Sequence, residues 1–225
     1  MEKMSVALDG PSGAGKSTLA RMAAKHFGLI YVDTGALYRC VGLYALRKGV
    51  GSRDEDSVSR LLPEIELEMK YDGQGIQRMF LLGEDVTDDI RLPEASKYAS
   101  DVSAMQPVRD FLLSTQRGMA EKYDVIMDGR DIGTVVLPDA GLKVFLTADP
   151  ETRARRRYLE LVDKNIETTL EEVRSDMNDR DKNDSERAAA PLKAADDAVF
   201  LDTTDLDLEE SFQALCRLIT GRSTI

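Results

Sequence analysis

The chain is poor in the groups that most covalent enzyme chemistry needs. Its 225 residues hold one histidine, His26, and two cysteines, Cys40 and Cys216. A lone histidine all but excludes Ser–His–Asp and Cys–His catalysis. Neither cysteine belongs to a C-x-x-C pair and no Cys/His cluster exists, which argues against a zinc site. Both cysteines read as small core residues, and His26 as a structural or solvent-facing residue in the first helix. No apolar run approaches the roughly 20 residues that span a membrane. The first residues, Met1-Glu2-Lys3-Met4, lack the layout of a signal peptide, so a cytoplasmic protein is expected. Excess positive charge is missing too: 30 basic against 41 acidic side chains give a net charge of −11. That argues against binding a nucleic-acid polymer through its backbone, which needs a basic face. Any anion must be held by a local cluster set against the overall field.

One stretch supplies such a cluster. Gly10-Pro11-Ser12-Gly13-Ala14-Gly15-Lys16-Ser17-Thr18 meets the pattern G-x-x-x-x-G-K-[ST] between an apolar run and a helix-like stretch. The glycines let the backbone wrap a polyphosphate with N–H groups pointing inward, and the following helix adds its positive end. Lys16 can reach the outer phosphates, and the Ser17 hydroxyl can ligate Mg²⁺. The alternative, an ordinary glycine turn, requires a chance match of roughly one in a hundred in a chain this long. A nucleoside triphosphate is therefore the expected ligand, and the loop alone does not say what receives its phosphate.

Apolar runs at 5–8, 29–32, 125–127, 143–146 and 198–201 read as buried parallel strands. Helical stretches at 17–27, 35–48, 108–122, 151–162, 169–181 and 208–219 lie between them. The alternation predicts an α/β fold, a five-stranded parallel sheet with helices on both faces. Asp33-Thr34 reads as an N-cap pair, and Pro191 as the end of the preceding helical segment. Residues 63–90 break the rhythm. Two alternating stretches flank Asp72-Gly73-Gln74-Gly75, a hairpin signal, and predict a small antiparallel insert. Residues 221–225 look frayed.

Polar groups gather where the strands end, the edge at which open α/β sheets bind ligands. Thr34 and Tyr38, four apart, can face one side of a helix; Tyr38 packed in the core beside a plain cap is the alternative. Asp128 follows an apolar strand and can hold Mg²⁺ directly or through water. Arg130 and Asp131 follow a glycine turn, as a ligand-binding pair or a surface ion pair. Arg153 and Arg157 share a helical face, as do Arg180, Asp184 and Arg187 if their helix runs that far. Guanidinium groups bind phosphate oxygens in a bidentate way, although charge runs are often solvated faces.

Five segments together resemble the bacterial cytidylate (CMP) kinases, within the nucleoside monophosphate kinases. They are residues 9–18 (DGPSGAGKST), 31–39 (YVDTGALYR), 128–136 (DGRDIGTVV), 143–157 (KVFLTADPETRARRR) and 188–192 (AAAPL). The resemblance implies a P-loop NTPase fold as one kinase domain. Its core would comprise about 1–62, 91–150 and 190–225, with a monophosphate-binding insert at about 63–90 and an arginine-rich helical lid at about 151–189. It implies a monomer that moves phosphate between ATP and CMP or dCMP with Mg²⁺. By the same resemblance, Lys16 and the loop amides would hold ATP phosphates, with Ser17 on Mg²⁺. Thr34 (where many members have serine), Ser100, Arg109, Asp131 and Arg187 would recognise the cytosine. Arg39 and Arg130 would bind the acceptor phosphate, Arg180 and Asp184 the sugar. Arg153 and Arg157 would close over the transferring phosphate, giving a catalytic set of Lys16, Arg130, Arg153 and Arg157. Competing readings are a kinase for another small acceptor, such as UMP/CMP or shikimate, and a GTPase-type switch. The switch would need an N-K-x-D motif, and Asp181-Lys182-Asn183-Asp184 has the wrong order.

Overall fold

The structure, a computed structural model, describes residues 3–73 and 76–221. The Gln74-Gly75 half of the expected hairpin turn and residues 222–225 of the expected frayed tail lie outside the described residues.

Five strands form a parallel sheet in the order β2-β6-β1-β7-β8. They are β1 (Ser5–Asp9), β2 (Ile30–Asp33), β6 (Val125–Gly129), β7 (Leu142–Thr147) and β8 (Val199–Asp202). The central strand shows why the middle of these strands is largely apolar. Val6 and Leu8 pack towards α1 (Lys16–Phe27) and α8 (Leu208–Thr220), while Ala7 faces Ile132 and Val136 on the other side. Both faces of β1 are buried, so both must be apolar. The loop after β1 is pressed onto β7: a Cβ on Gly10 would sit 1.9 Å from the Leu146 carbonyl oxygen, and only glycine fits there.

The break in rhythm is real. Strands β3 (Leu67–Tyr71), β4 (Gln77–Leu81) and β5 (Glu84–Asp85) form a separate antiparallel sheet. Its apolar side joins α2 (Thr34–Arg47) in one core cluster, through Met79, Leu81, Leu37 and Val41. The Asp33 side chain caps α2 by accepting from the Ala36 N–H at 2.9 Å, as the sequence predicts.

Two helices have no counterpart among the predicted elements: α3 (Glu55–Leu61) and α4 (Pro93–Val102). α4 buries Ala95, Ala99 and Val102. It lies directly on α2, because a Cβ on Gly42 would meet Tyr98 Cβ at 2.9 Å and Ala99 N at 3.0 Å. The helix α5 (Gln106–Lys122) leads back to β6. The arginine-rich segment folds as α6 (Pro150–Asp163) and α7 (Leu170–Glu186), packed together through Ala154, Leu161, Val173 and Met177. α7 outruns its predicted end at 181 by five residues and stops well before Pro191, so Pro191 is not what ends it. Among the described residues no helix is long and apolar enough to cross a membrane. Both cysteines are buried thiols; His26 is exposed, its ring edge-on to Phe27 and Phe212.

Candidate active site

The loop from Gly10 to Thr18 runs from β1 into α1, whose N-cap, Gly15, makes no side-chain cap bond. The first N–H groups of α1 therefore remain available to an anion. Lys16 folds inward, 6% exposed, and donates from Nζ to the Pro11 carbonyl at 2.7 Å. Burial, with Arg130 nearby, holds its pKa well below the ordinary lysine range. A phosphate placed beside it would return the lost solvation.

Behind Lys16, the Ser17 hydroxyl donates to Asp128 Oδ2 at 2.7 Å, and the Tyr31 hydroxyl donates to Asp128 Oδ1 at 2.9 Å. Burial raises the Asp128 pKa, with Asp33 adding to the effect, and burial raises that of Tyr31 well above its usual value. Tyr31 thus stays a hydrogen-bond donor that orients Asp128. Its partner lies 97 residues away, so nothing local in the sequence points to this role. Ser17 and Asp128 supply two hard oxygen donors. Among the described residues no group of three or more His, Cys, Asp or Glu could hold a metal alone. Two oxygens suit Mg²⁺, which keeps several waters and completes its shell with substrate phosphates.

A cavity of about 840 Å³ opens in front of the loop, walled by residues 12–19 together with Arg39, Asp128, Arg130, Arg156, Arg157 and Arg180. Gly10 and Pro11 lie behind its walls. Arg39 pairs with Asp33 at 2.7 Å, and Arg130 with Asp184 at 2.8 Å. Arg39 Nε and Arg180 Nε are buried without a partner. Arg180 is lowered to about 10, chiefly by burial and then by Arg130. Crowded, incompletely paired guanidiniums of this kind are a site for anions.

Beside the cavity lies a narrow recess of about 50 Å³ lined by Thr34, Tyr38, Ser100, Asp131, Asp184 and Arg187, with Arg130 and Arg180 on the wall it shares with the cavity. Asp131 accepts from both Arg109 and Arg187. Arg187 also donates to Ser103 Oγ at 3.0 Å and to the Ala190 carbonyl at 2.8 Å. The Thr34 hydroxyl donates to the Asp128 carbonyl at 2.7 Å, which ties the acceptor side to the metal-side strand. Ser100 is already engaged: Asn183 Nδ2 donates to its hydroxyl at 2.9 Å and its carbonyl at 3.0 Å, joining α4 to α7.

Most of the expected residues therefore meet at one sheet edge, but Arg153 does not join them. It was expected over the transferring phosphate beside Arg157. Instead it is buried behind the loop, donating to the Ala148 carbonyl at 3.0 Å, to the Ser12 carbonyl at 2.8 Å, and to Asp181. Asp181 in turn accepts from the Ser12 N–H at 3.0 Å. Helical side chains lean towards the N-terminus, which carries Arg153 to the base of α6. Arg157, half-buried and paired with Glu160, does line the cavity. So does Arg156, which the spacing argument passed over; it donates to the Thr203 carbonyl at 2.6 Å.

The sequence matches the cytidylate kinase family model over residues 6–221. A cytidylate kinase of Caldicellulosiruptor saccharolyticus is 46% identical over 218 residues, covering 97% of this chain and 96% of that protein. One of Bacillus cereus is 43% identical over 220 residues, with 98% and 97% covered. Among solved structures, an uncharacterized protein from Eubacterium ventriosum superposes with a TM-score of 0.53 at 13% identity, over 97% of this chain and 99% of that one, a likeness of fold alone. With the family match extending across the phosphate loop, both arginine-lined recesses and the last strand, the chain belongs to the cytidylate kinase family.

Proposed function

We propose that this protein reversibly transfers the γ-phosphate of ATP to CMP or dCMP, giving ADP and CDP or dCDP. One observation carries the reading: Arg130 and Arg180 stand in the walls of both the large cavity and the narrow recess. Two phosphates bound one on each side would meet at these arginines.

Phosphoryl transfer needs positioning and charge stabilisation more than covalent help. The loop amides and the start of α1 hold the ATP phosphates, and Lys16 exchanges the Pro11 carbonyl for a phosphate oxygen. Ser17 and Asp128 are the residues that would hold Mg²⁺, which when bound neutralises charge across the outer phosphates. Arg39, Arg130 and Arg180 hold the acceptor phosphate. Arg157 reaches the cavity from α6, within the segment we assign as the lid. The attacking oxygen belongs to a phosphate with a second pKa of about 6, so it arrives deprotonated and needs no general base. That fits a chain with a single exposed histidine.

The base is read by Asp131 together with Thr34, Ser100, Arg109 and Arg187. Flanked by two guanidiniums, the Asp131 carboxylate presents acceptors only, which suits the amino group of cytosine and repels the O4 of uracil. Arg180 and Asp184 lie next to it for the sugar. The recess is walled in part by α4 and α7, through Ser100, Arg180 and Asp184. Both sites are walled by one chain, which supports a working monomer.

An acceptor panel tests the reading. ADP should appear from ATP with CMP or dCMP, and slowly with UMP or AMP. Equal or faster turnover with AMP, GMP or shikimate would overturn it.

A further inference from the structure

The acceptor turn holds an inversion of ordinary capping. After β6 the chain makes a π-helical turn, Ile132–Val136, with Asp131 at the N-cap position. Helical starts leave N–H groups without partners, and aspartate is a preferred residue to accept from them. Asp131 makes no such bond. Its oxygens are turned the other way, to the buried Arg109 and to Arg187 of the acceptor recess.

The N–H groups it leaves are taken by a residue more than 120 positions away. Ile132 N donates to Asp9 Oδ1 at 2.8 Å, and Gly133 N donates to Asp9 Oδ2 at 2.7 Å. Asp9 is the last residue of β1, 4% exposed, and stands in register with Gly129 on the neighbouring strand. The next residue, Gly10, opens the phosphate loop. The fit is close: a Cβ on Gly133 would lie 3.4 Å from Asp9 Oδ2 and 3.1 Å from the Lys143 stem.

We propose that Asp9 is a positioning residue for acceptor recognition: by capping the Ile132–Val136 turn from the neighbouring strand, it leaves the Asp131 carboxylate to the acceptor recess. This rests on the acceptor assignment given above. Without the Asp9 carboxylate at least one buried N–H loses its partner, and Asp131, already at the N-cap position, becomes the competing acceptor. Each time Asp131 turns inward to cap, Arg109 and Arg187 lose their carboxylate and the recess loses the group that tells an amino from a carbonyl. The phosphate loop keeps its own geometry, so the effect falls on the acceptor and not on ATP.

The test is steady-state kinetics of the full chain with Asp9→Asn, varying CMP, UMP and ATP in turn. KM for CMP should rise about tenfold or more, the scale of one lost hydrogen bond to a charged group. The CMP-over-UMP preference should fall by a similar factor, while KM for ATP stays within about threefold. On an Asp131→Asn background, Asp9→Asn should change KM for CMP less than about twofold, because the two act through one carboxylate. An unchanged CMP-over-UMP preference, or full additivity in the double variant, overturns the proposal. Amide hydrogen exchange of the wild-type protein covers the case in which the variants do not fold. The Ile132 and Gly133 amides should be as protected as those of β1, and exchange at the rate of exposed loops overturns the capping. A wild type with no preference for CMP would refute the acceptor assignment, while the exchange measurement would still decide the capping by itself.

Discussion

Arg153 and Arg157 lie one helical turn apart and look equivalent in sequence, yet the structure gives them different work, and alanine at each should separate the two. The Arg153 guanidinium serves the buried Ala148 carbonyl, the half-buried Ser12 carbonyl and Asp181. A buried acceptor left without a donor costs about 1–3 kcal/mol. Asp181 is partly exposed and keeps the Ser12 N–H, so solvent relieves much of its share. The total for Arg153→Ala is about 3 kcal/mol. In a chain of this size each kcal/mol moves the melting temperature by roughly 2–4 °C, giving a fall of about 6–12 °C. Arg157 holds only a half-exposed i,i+3 pair with Glu160, a pair of the kind that contributes about 0.3–0.5 kcal/mol, so Arg157→Ala should melt within about 2 °C of wild type. Kinetics should reverse the order. On the proposed reading Arg157→Ala removes a cavity-lining charge that serves the transferring phosphate, and kcat should fall about 100-fold or more. Arg153→Ala loosens the loop and should act mainly on KM for ATP. Thermal melts and steady-state rates on both variants decide it. A wild-type melting temperature for Arg153→Ala, with a large fall for Arg157→Ala, would refute the assignment of Arg153 as the anchor.

Two further outcomes follow from the electrostatics. ATP at about 100 times its Kd should stabilise the protein by about 2.7 kcal/mol, or roughly 5–10 °C, whereas sodium chloride at matched ionic strength should not; equal shifts would show that the arginine cluster is not an anion site. Asp9 is raised by burial from 3.8 to about 6. A raised carboxylate favours the protonated native state, so its contribution is fully present below 3.8 and is lost as pH rises through about 6. Wild type should therefore gain about 2 kcal/mol over Asp9→Asn as pH falls from about 7 to about 4, and a difference that stays constant in denaturant melts would refute the shift.

The parts legible in sequence are those whose physics is local. The three inner strands, β6, β1 and β7, are buried on both faces and read as apolar runs, while the edge strand β8 leaves Phe200 66% exposed. The phosphate loop needs glycines at fixed spacing, and the Asp33 cap lies three residues from the N–H it serves. The parts that escaped are set by distant partners. α4 is held to α2 by the close approach of Tyr98 and Ala99 to Gly42, a contact between residues far apart in sequence. Helical spacing puts Arg153 and Arg157 on one face but does not give the direction in which a long side chain leans, and Arg153 turns back to the Ser12 carbonyl and Asp181. Tyr31 was missed because its partner, Asp128, is 97 residues away. Asp9 sits beside the most recognisable motif in the chain, yet its bonds go to the other side of the site.

The pairing of charges also shows how an acidic chain takes up two anionic nucleotides. Arg39, Arg130, Arg109 and Arg187 each have an aspartate partner within the site, so most of the buried positive charge is already neutralised. Two cations differ. Lys16 donates to a carbonyl, not a carboxylate, and Arg180 leaves Nε unpartnered, and burial lowers the pKa of both. Nearby carboxylates offset part of their desolvation, and an arriving phosphate would offset more. Lys16 faces the donor loop and Arg180 stands between the two recesses, so either nucleotide alone satisfies part of the cluster. The second nucleotide completes it, and charge stabilisation at the transferring phosphate is greatest when both are in place. Such an arrangement favours transfer to the acceptor over transfer to water, because water entering alone brings no phosphate to the acceptor side.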